Sequence, residues 1–428
     1  MRIGFVSTRL AGTDGVSLET AKLAAIYQRL GHDVCFCAGQ LDPEFAPGRL
    51  VPEMHFTHPE ALWIHDYSFG IRQEVPDLRP RITAMAGYLQ AATESFLIDF
   101  QVDVLCIQNA VAIPMHVALG LALARTIAAT GIPTLAHNHD LYWERERFSI
   151  TCIPDILDQA FPPALPSVQH LVINSLAQQA LRERLNVEAA LLPNIFDFAS
   201  AAPALTPFNT DLRTQLGLSD DHLLILQPTR VIARKGIEFS IELVRRLQEP
   251  APRAQLLGKR PVLLLAHHAG DEGLGYLRQL QALAKVSDVG LIYAADRFAP
   301  QASGQGQDKT YALWDAYVHA DFVTYPSLIE GFGNALLETL YFRLPALVNR
   351  YPVYAADIAS KGFDLIEIDA DEAVPGQVIT DQVVNTVVGT IMDPVRHRRL
   401  VELNYNVARQ HYSYEAVTPL LASLLVSF

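Results

Sequence analysis

The sequence lacks long apolar runs. No window reaches the roughly 18 uninterrupted apolar residues that a spanning helix needs. The opening stretch, Ile3 to Val6, is too short for the core of a secretory signal and reads as a first strand. A soluble, cytoplasmic chain is therefore expected, without a basic-hydrophobic membrane face. Positive charge is scarce too: 33 Lys and Arg stand against 46 Asp and Glu, a formal net charge of −13. That argues against a general nucleic-acid or membrane-surface binder. Any anionic ligand must be held by local cations or helix N-termini. There are only four cysteines. Cys35 and Cys37 would point the same way on a strand, Cys106 lies in an apolar run and Cys152 stands alone. With no second Cys or His pair at zinc spacing, buried reduced thiols are expected and no metal site. A G-x-G-x-x-G fingerprint is missing after the first strand, which counts against an NAD-dependent dehydrogenase. No short repeat occurs.

What is present is an alternation. The 428 residues, half of them hydrophobic, suffice for two domains with full cores. Ile3 to Val6 reads as a strand, Ser17 to Leu30 as a helix stopped by Gly31, and Asp33 to Cys37 as a second strand. This is a βαβ unit and implies a parallel sheet. Further strands are expected at Val104–Ile107, Thr134–Ala136 and Leu171–Ile173. From Pro193 to about Pro207 the composition turns to Pro, Ala, Ser and Asn, which reads as an interdomain linker. A second alternation follows, with strands at Leu223–Gln227, Pro261–Ala266, Val289–Tyr293, Phe322–Tyr325 and Ala346–Val348. Helices are expected at Gly236–Leu247 and Tyr311–Ala320. The domains are placed at 1–200 and 208–413, with 414–428 as a helix crossing back to the first. Ligands of such sheets bind at the carboxyl ends of strands, and with two sheets the expected site is the cleft between domains.

Four segments carry chemistry. The first runs Tyr325-Pro326-Ser327-Leu328-Ile329-Glu330-Gly331-Phe332-Gly333-Asn334-Ala335-Leu336-Leu337-Glu338. A strand ends at its start, a glycine-flanked loop follows, and a helix opens near Asn334, whose free N–H groups face any anion. The second, Pro228-Thr229-Arg230-Val231-Ile232-Ala233-Arg234-Lys235-Gly236, sets Arg forks and a Lys point charge after a strand, as a diphosphate requires. The third, Leu135-Ala136-His137-Asn138-His139-Asp140-Leu141-Tyr142-Trp143-Glu144-Arg145-Glu146-Arg147, gathers two His, an Asp and a charged-aromatic run at a strand end. The fourth is Gly12-Thr13-Asp14-Gly15-Val16-Ser17, a loose glycine loop opening a helix.

The first segment resembles the E-x7-E motif of retaining glycosyltransferases of family 4, which have the GT-B fold of two Rossmann-like domains facing each other across a cleft. The resemblance implies that Glu330 contacts the donor sugar and Glu338 the ribose hydroxyls. It lays the backbone of Gly331, Phe332, Gly333 and Asn334 against the donor. It implies that Arg230 and Lys235 grip the diphosphate, with Arg234 a surface or acceptor-side charge. His139, with His137 second, approaches the transferring sugar. Gly15 lies beside the phosphate, with a lesser role for Asp14. Asp140, Arg145 and Arg147, with Glu144, are acceptor contacts or a surface ion-pair cluster. The segment Leu291–Phe298 falls where the base is held, and Leu192–Asp197 resembles the domain junction. One departure stands after Leu265, where Ala266-His267-His268-Ala269-Gly270 replaces a Gly-rich turn.

The implied activity is hexosyl transfer from a nucleotide sugar, with UDP-glucose the first choice, to a small anionic acceptor. Fructose 6-phosphate, giving sucrose 6-phosphate, is the first candidate. GDP-mannose or UDP-glucose with glycerate or glucosylglycerate, or with a lipid or polysaccharide acceptor, is the alternative. No cofactor or metal is required, because cations and a helix N-terminus can stabilise the leaving diphosphate, and domain closure would exclude water. Rival readings are a nucleotide-sugar epimerase or a phosphorylase, the latter lacking an evident Schiff-base lysine setting, and a non-catalytic nucleotide-sugar-binding protein.

Overall fold

The computed structural model describes the chain except residues 13, 271–272 and 371–373 and the side chain at 307. Thr13 of the fourth segment thus lies outside the described residues. The chain forms two compact units, residues 1–195 with 414–428, and residues 196–413.

Among its described residues the first unit carries seven strands: β1 (Arg2–Ser7), β2 (Asp33–Ala38), β3 (Gly48–Leu50), β4 (Val104–Gln108), β5 (Thr134–Asn138), β6 (Val168–Val172) and β7 (Ala189–Leu191). They pair in the order β3-β2-β1-β4-β5-β6-β7, all parallel. The strands read as unbroken apolar runs because both faces are covered. On β1, Ile3 and Phe5 join one core and Val6 the other; on β4, Val104 and Cys106 part from Leu105 and Ile107 in the same way. The final helix, Tyr414–Val426, sets Val417, Leu421, Leu424 and Leu425 into the core shared with Ile3 and Phe5. Three of the four cysteines are buried free thiols, and Cys152 is half-buried.

The second unit has β8 (His222–Gln227), β9 (Arg260–Leu265), β10 (Gly290–Tyr293), β11 (Phe298–Ala299), β12 (Tyr311–Ala312), β13 (Phe322–Tyr325), β14 (Ala346–Asn349) and β15 (Ile366–Ile368). Six of them make a sheet in the order β10-β9-β8-β13-β14-β15, while β11 and β12 form a separate two-stranded ribbon. Every pair in both sheets is parallel.

Three details differ from the sequence pattern. The unit boundary falls at 195/196, ahead of 200. Phe196 and Phe198 are the cause: both are buried, and both pack on Tyr341 in the second unit. The helix expected from Tyr311 begins at Leu313, because Tyr311 and Ala312 pair with Phe298 and Ala299. Strand β6 starts at Val168, where half-buried Val168 and Gln169 blur the apolar signal. Among the described residues no helix is long and apolar enough to cross a membrane.

Candidate functional site

In the second unit the site grows from the ends of β8 and β13. Gln227 closes β8 fully buried. Its Oε1 accepts from Thr324 of β13 and from Ser240 of the helix Ile237–Leu247, both at 2.9 Å, and its amide donates to Thr229 at 3.0 Å. Each such bond contributes about 1 kcal/mol. Together they fix the direction of the two loops that follow. The 228–236 loop then meets the 326–333 loop: Leu328 N–H donates to the Arg234 carbonyl at 2.9 Å, and Arg234 Nη1 donates to the Ile329 carbonyl at 3.0 Å.

This contact brings together two residues that the sequence leaves 95 positions apart. Lys235 Nζ is ion-paired with Glu330 Oε1, and both side chains are nearly buried. The Tyr325 hydroxyl donates to the same oxygen at 2.7 Å, while Glu330 Oε2 lies 3.8 Å from Arg234. Burial acts to raise the Glu330 carboxyl. The Lys235 charge and the hydrogen bonds from Lys235 and Tyr325 outweigh it and hold the group below the usual carboxylate range. Burial pushes the Lys235 ammonium down, opposed by Glu330 and reinforced by Arg234 and exposed Arg230. Arg234, read from sequence as a surface or acceptor-side charge, is half-buried against the Glu330 loop.

Two glycines make the approach possible. Gly236 has φ +59°, and a Cβ there would stand 2.5 Å from the Pro326 carbonyl oxygen. Gly333 has φ +130°, and a Cβ would meet the Tyr351 hydroxyl at 2.8 Å. That hydroxyl donates to the Phe332 carbonyl, and the Phe332 ring is buried against Tyr412. We expect Gly236→Ala to lose about 1–3 kcal/mol, seen as a lower denaturation midpoint, and to weaken nucleotide binding. An unchanged midpoint would mean that the two loops are not held this closely.

Past Gly333, the helix Asn334–Tyr341 starts, and Glu338 sits one turn along it with Oε2 accepting from the buried Tyr317 hydroxyl at 2.7 Å. Gly331 in the loop and Asn334 at the start of the helix are both half-buried. On the other side of β8, β9 ends at Leu265. His267 follows, close enough to Lys235 and Arg230 for their charges to act on its ring. The sequence pattern marks His267 only as part of an unusual turn. The segment at the end of β10 forms a tight turn over Ala295–Arg297 before β11.

In the first unit β4 and β5 end side by side. His137 Nδ1 lies 3.1 Å and His139 Nε2 3.2 Å from Gln108 Oε1, with the rings 4.3 Å apart. A carboxamide oxygen only accepts, so both rings donate and His139 keeps Nδ1 as an acceptor. Burial, followed by the charge of Lys22, pushes His139 down to about 4. Burial, followed by His139, holds His137 well below its ordinary value. Both rings are therefore neutral at pH 7. Asn109, at φ +61°, accepts from the His139 N–H at 3.0 Å and fixes the start of the loop. Gln108 and Asn109 were not singled out from sequence; their signal is a polar pair closing a buried strand.

Asp140 is paired with Arg145 at 2.7 Å. Arg147 instead reaches the Met115 sulfur and lies over the Phe148 ring. Glu144 turns back to accept from the Leu141 N–H at 3.0 Å. Gly15 opens the helix Gly15–Arg29, and Asp14 caps it, accepting from Val16 and Ser17 N–H and from Arg9. Two amides that the glycine loop suggests for a phosphate are thus already taken. Among the described residues no group of three or more His, Cys, Asp or Glu could hold a metal ion.

The buried histidines make stability depend on pH. Burial is the leading cause that lowers His116, His139 and His170 to about 4, against about 6.5 unfolded. Between those values the unfolded chain binds more protons. The contribution is therefore complete above about pH 6.5 and is lost as the pH falls through about 4. Each histidine contributes about 1.4 kcal/mol per pH unit in that window. Urea unfolding of a Trp314→Phe variant, whose remaining tryptophans lie in the first unit, should show a falling midpoint from pH 7 to pH 5. A flat profile would contradict the burial of these rings.

No family model matches the chain. It is 30% identical over 449 aligned residues to a mannosylglucosylglycerate synthase of Thermotoga maritima, covering 99% of both chains. It is 30% identical over 380 residues to that of Petrotoga mobilis, covering 86% of each. Among solved structures it is similar to Anabaena HepE in complex with UDP and glucose, with TM-score 0.64 at 14% identity over 100% of both chains. That last likeness bears on the fold alone.

Proposed function

The chain belongs to the mannosylglucosylglycerate synthase family, a family of GT-B glycosyltransferases, and we propose that it transfers a mannosyl group from GDP-mannose to glucosylglycerate, retaining the anomeric configuration and needing no metal. The relatives' name supports this choice over transfer of glucose to fructose 6-phosphate. The observation that carries the site is the Lys235–Glu330 pair with Arg230 and Arg234 beside it.

In this reading the bond between sugar C1 and the phosphate oxygen breaks, and the diphosphate keeps the electron pair. Lys235 has three N–H groups. Glu330 takes one, which leaves two for diphosphate oxygens, with Arg230 adding a planar fork. Such preorganised cations stabilise the charge as it develops. Glu330 orients the sugar through its hydroxyls, and neutral His139 supports it. Glu338, held by Tyr317, takes the ribose, and the backbone from Gly331 to Asn334 lies along the donor. The acceptor hydroxyl attacks on the face the diphosphate leaves and passes its proton to the departing phosphate oxygen. Arg145 and Arg147, with His137 and Asp140, serve the acceptor, whose carboxylate gives them a charge to meet.

The test is nucleotide release from GDP-mannose and UDP-glucose, each with glucosylglycerate, glycerate, fructose 6-phosphate or no acceptor. Release confined to GDP-mannose with glucosylglycerate supports the proposal. Release confined to UDP-glucose with fructose 6-phosphate would replace its substrates.

A further inference from the structure

Strands β8 and β9 run in register with Gln227 opposite Leu265, so they end together and Pro228 stands beside Ala266. One departing loop carries Arg230 and Lys235, the other His267. The Pro228 carbonyl lies close enough to the His267 ring to favour its protonated form, while the charges of Lys235 and Arg230 oppose it. The His267 loop is pinned where the Ala269 N–H donates to the Tyr293 hydroxyl at 3.0 Å. Among the described residues, the charged and titratable groups that act on the ring are Lys235, Arg230 and His268; Asp271 and Glu272 of the same loop lie outside them. His268 itself is exposed and 4.0 Å from Asp296. An imidazole beside Lys235 and Arg230, at the shared end of two adjacent strands, suits an anion.

We infer that His267 is a further contact for the nucleoside diphosphate, beside Arg230 and Lys235, and that it takes up a proton from solvent when the diphosphate binds. The inference rests on the donor site proposed above. In the free protein burial, followed by the charges of Lys235 and Arg230, pushes the ring down to about 4. A bound diphosphate reverses the local sign and favours the imidazolium. The complex then holds more protons than the free protein above about pH 4. Binding tightens as the pH falls toward that value, by up to about tenfold per pH unit.

Titration calorimetry of GDP and of UDP at about pH 5.5, in two buffers of different ionisation enthalpy, counts the protons taken up. The nucleotide's own terminal phosphate titrates nearby, so the comparison is with His267→Gln, which removes the titrating ring. Wild type should take up more protons than His267→Gln, and the gain in affinity on acidification should be weaker in the variant. His268→Gln should behave as wild type. Equal uptake by wild type and His267→Gln would overturn the inference while leaving the donor site intact. Failure of wild type to bind either nucleotide would overturn the donor site and the inference with it. If His267→Gln does not fold, His267→Asn takes its place.

Discussion

Glu330→Gln should lower turnover by about 10²–10³-fold, or about 3–4 kcal/mol of barrier, in a protein that still folds. Glu330 Oε1 is engaged by Lys235 and Tyr325, and Oε2 lies 3.8 Å from Arg234, beyond hydrogen-bond distance. A carboxylate held by two hydrogen bonds and facing a guanidinium is a rigid, charged acceptor for a sugar hydroxyl, and charged hydrogen bonds are about twice as strong as neutral ones. Glutamine keeps the shape but replaces one oxygen with a donor and removes the charge. The conservative variant is the sharper probe, because Glu330→Ala would leave the Lys235 charge buried beside a void and confuse stability with catalysis. Steady-state kinetics alongside thermal denaturation reads both. Turnover near wild type in a folded Glu330→Gln would remove Glu330 from the chemistry.

The second large effect is expected at Lys235. Lys235→Met strips the Glu330 carboxylate of its cation where both are nearly buried. Breaking such a pair from one side costs about 3–5 kcal/mol. The same change should weaken GDP binding by about 10–100-fold, the equivalent of one charge-assisted hydrogen bond. The pair also predicts a specific non-additivity. Lys235→Met with Glu330→Gln should be more stable than Lys235→Met alone, since no unpaired charge remains, yet it should be inactive. Urea unfolding of the four proteins gives the coupling, expected at about 0.5–3 kcal/mol. Simple additivity would show that the two side chains do not support one another in solution.

Much of this was legible in the sequence because it rests on local pattern. Strands such as Phe322–Tyr325 and Asp33–Ala38 are buried on both faces and stand out as apolar runs. The turn from Tyr325 to Glu338 declares a strand, a loop and a helix in fourteen consecutive positions. The three-residue strands β3, β7 and β15 are too short to leave a period. Phe196 and Phe198 sit in a stretch whose Pro and Ser suggest a linker, and only their packing on Tyr341 assigns them to the second unit.

The site was legible as residues but not as relationships. Glu330 and Lys235 could each be named, but their pairing depends on how β8 and β13 align. The same holds for Gln108, which joins His137 on the adjacent strand to His139 just past its end. His267 gains meaning only from the register that sets β9 beside β8. Arg145 and Arg147 look alike in sequence, yet one pairs with an acid and the other lies on a phenylalanine.

The configuration of the product distinguishes a retaining mannosyl transfer from every alternative. GDP-mannose carries an α-linked mannose, so a retaining transferase gives an α-linked product. The purified chain, GDP-mannose and glucosylglycerate would be followed by NMR, reading the one-bond carbon–proton coupling at the new anomeric centre. An α-mannoside formed together with free GDP, and absent with Glu330→Gln, is the predicted result. A β-linked product, or release of GDP with free mannose alone, would contradict the account.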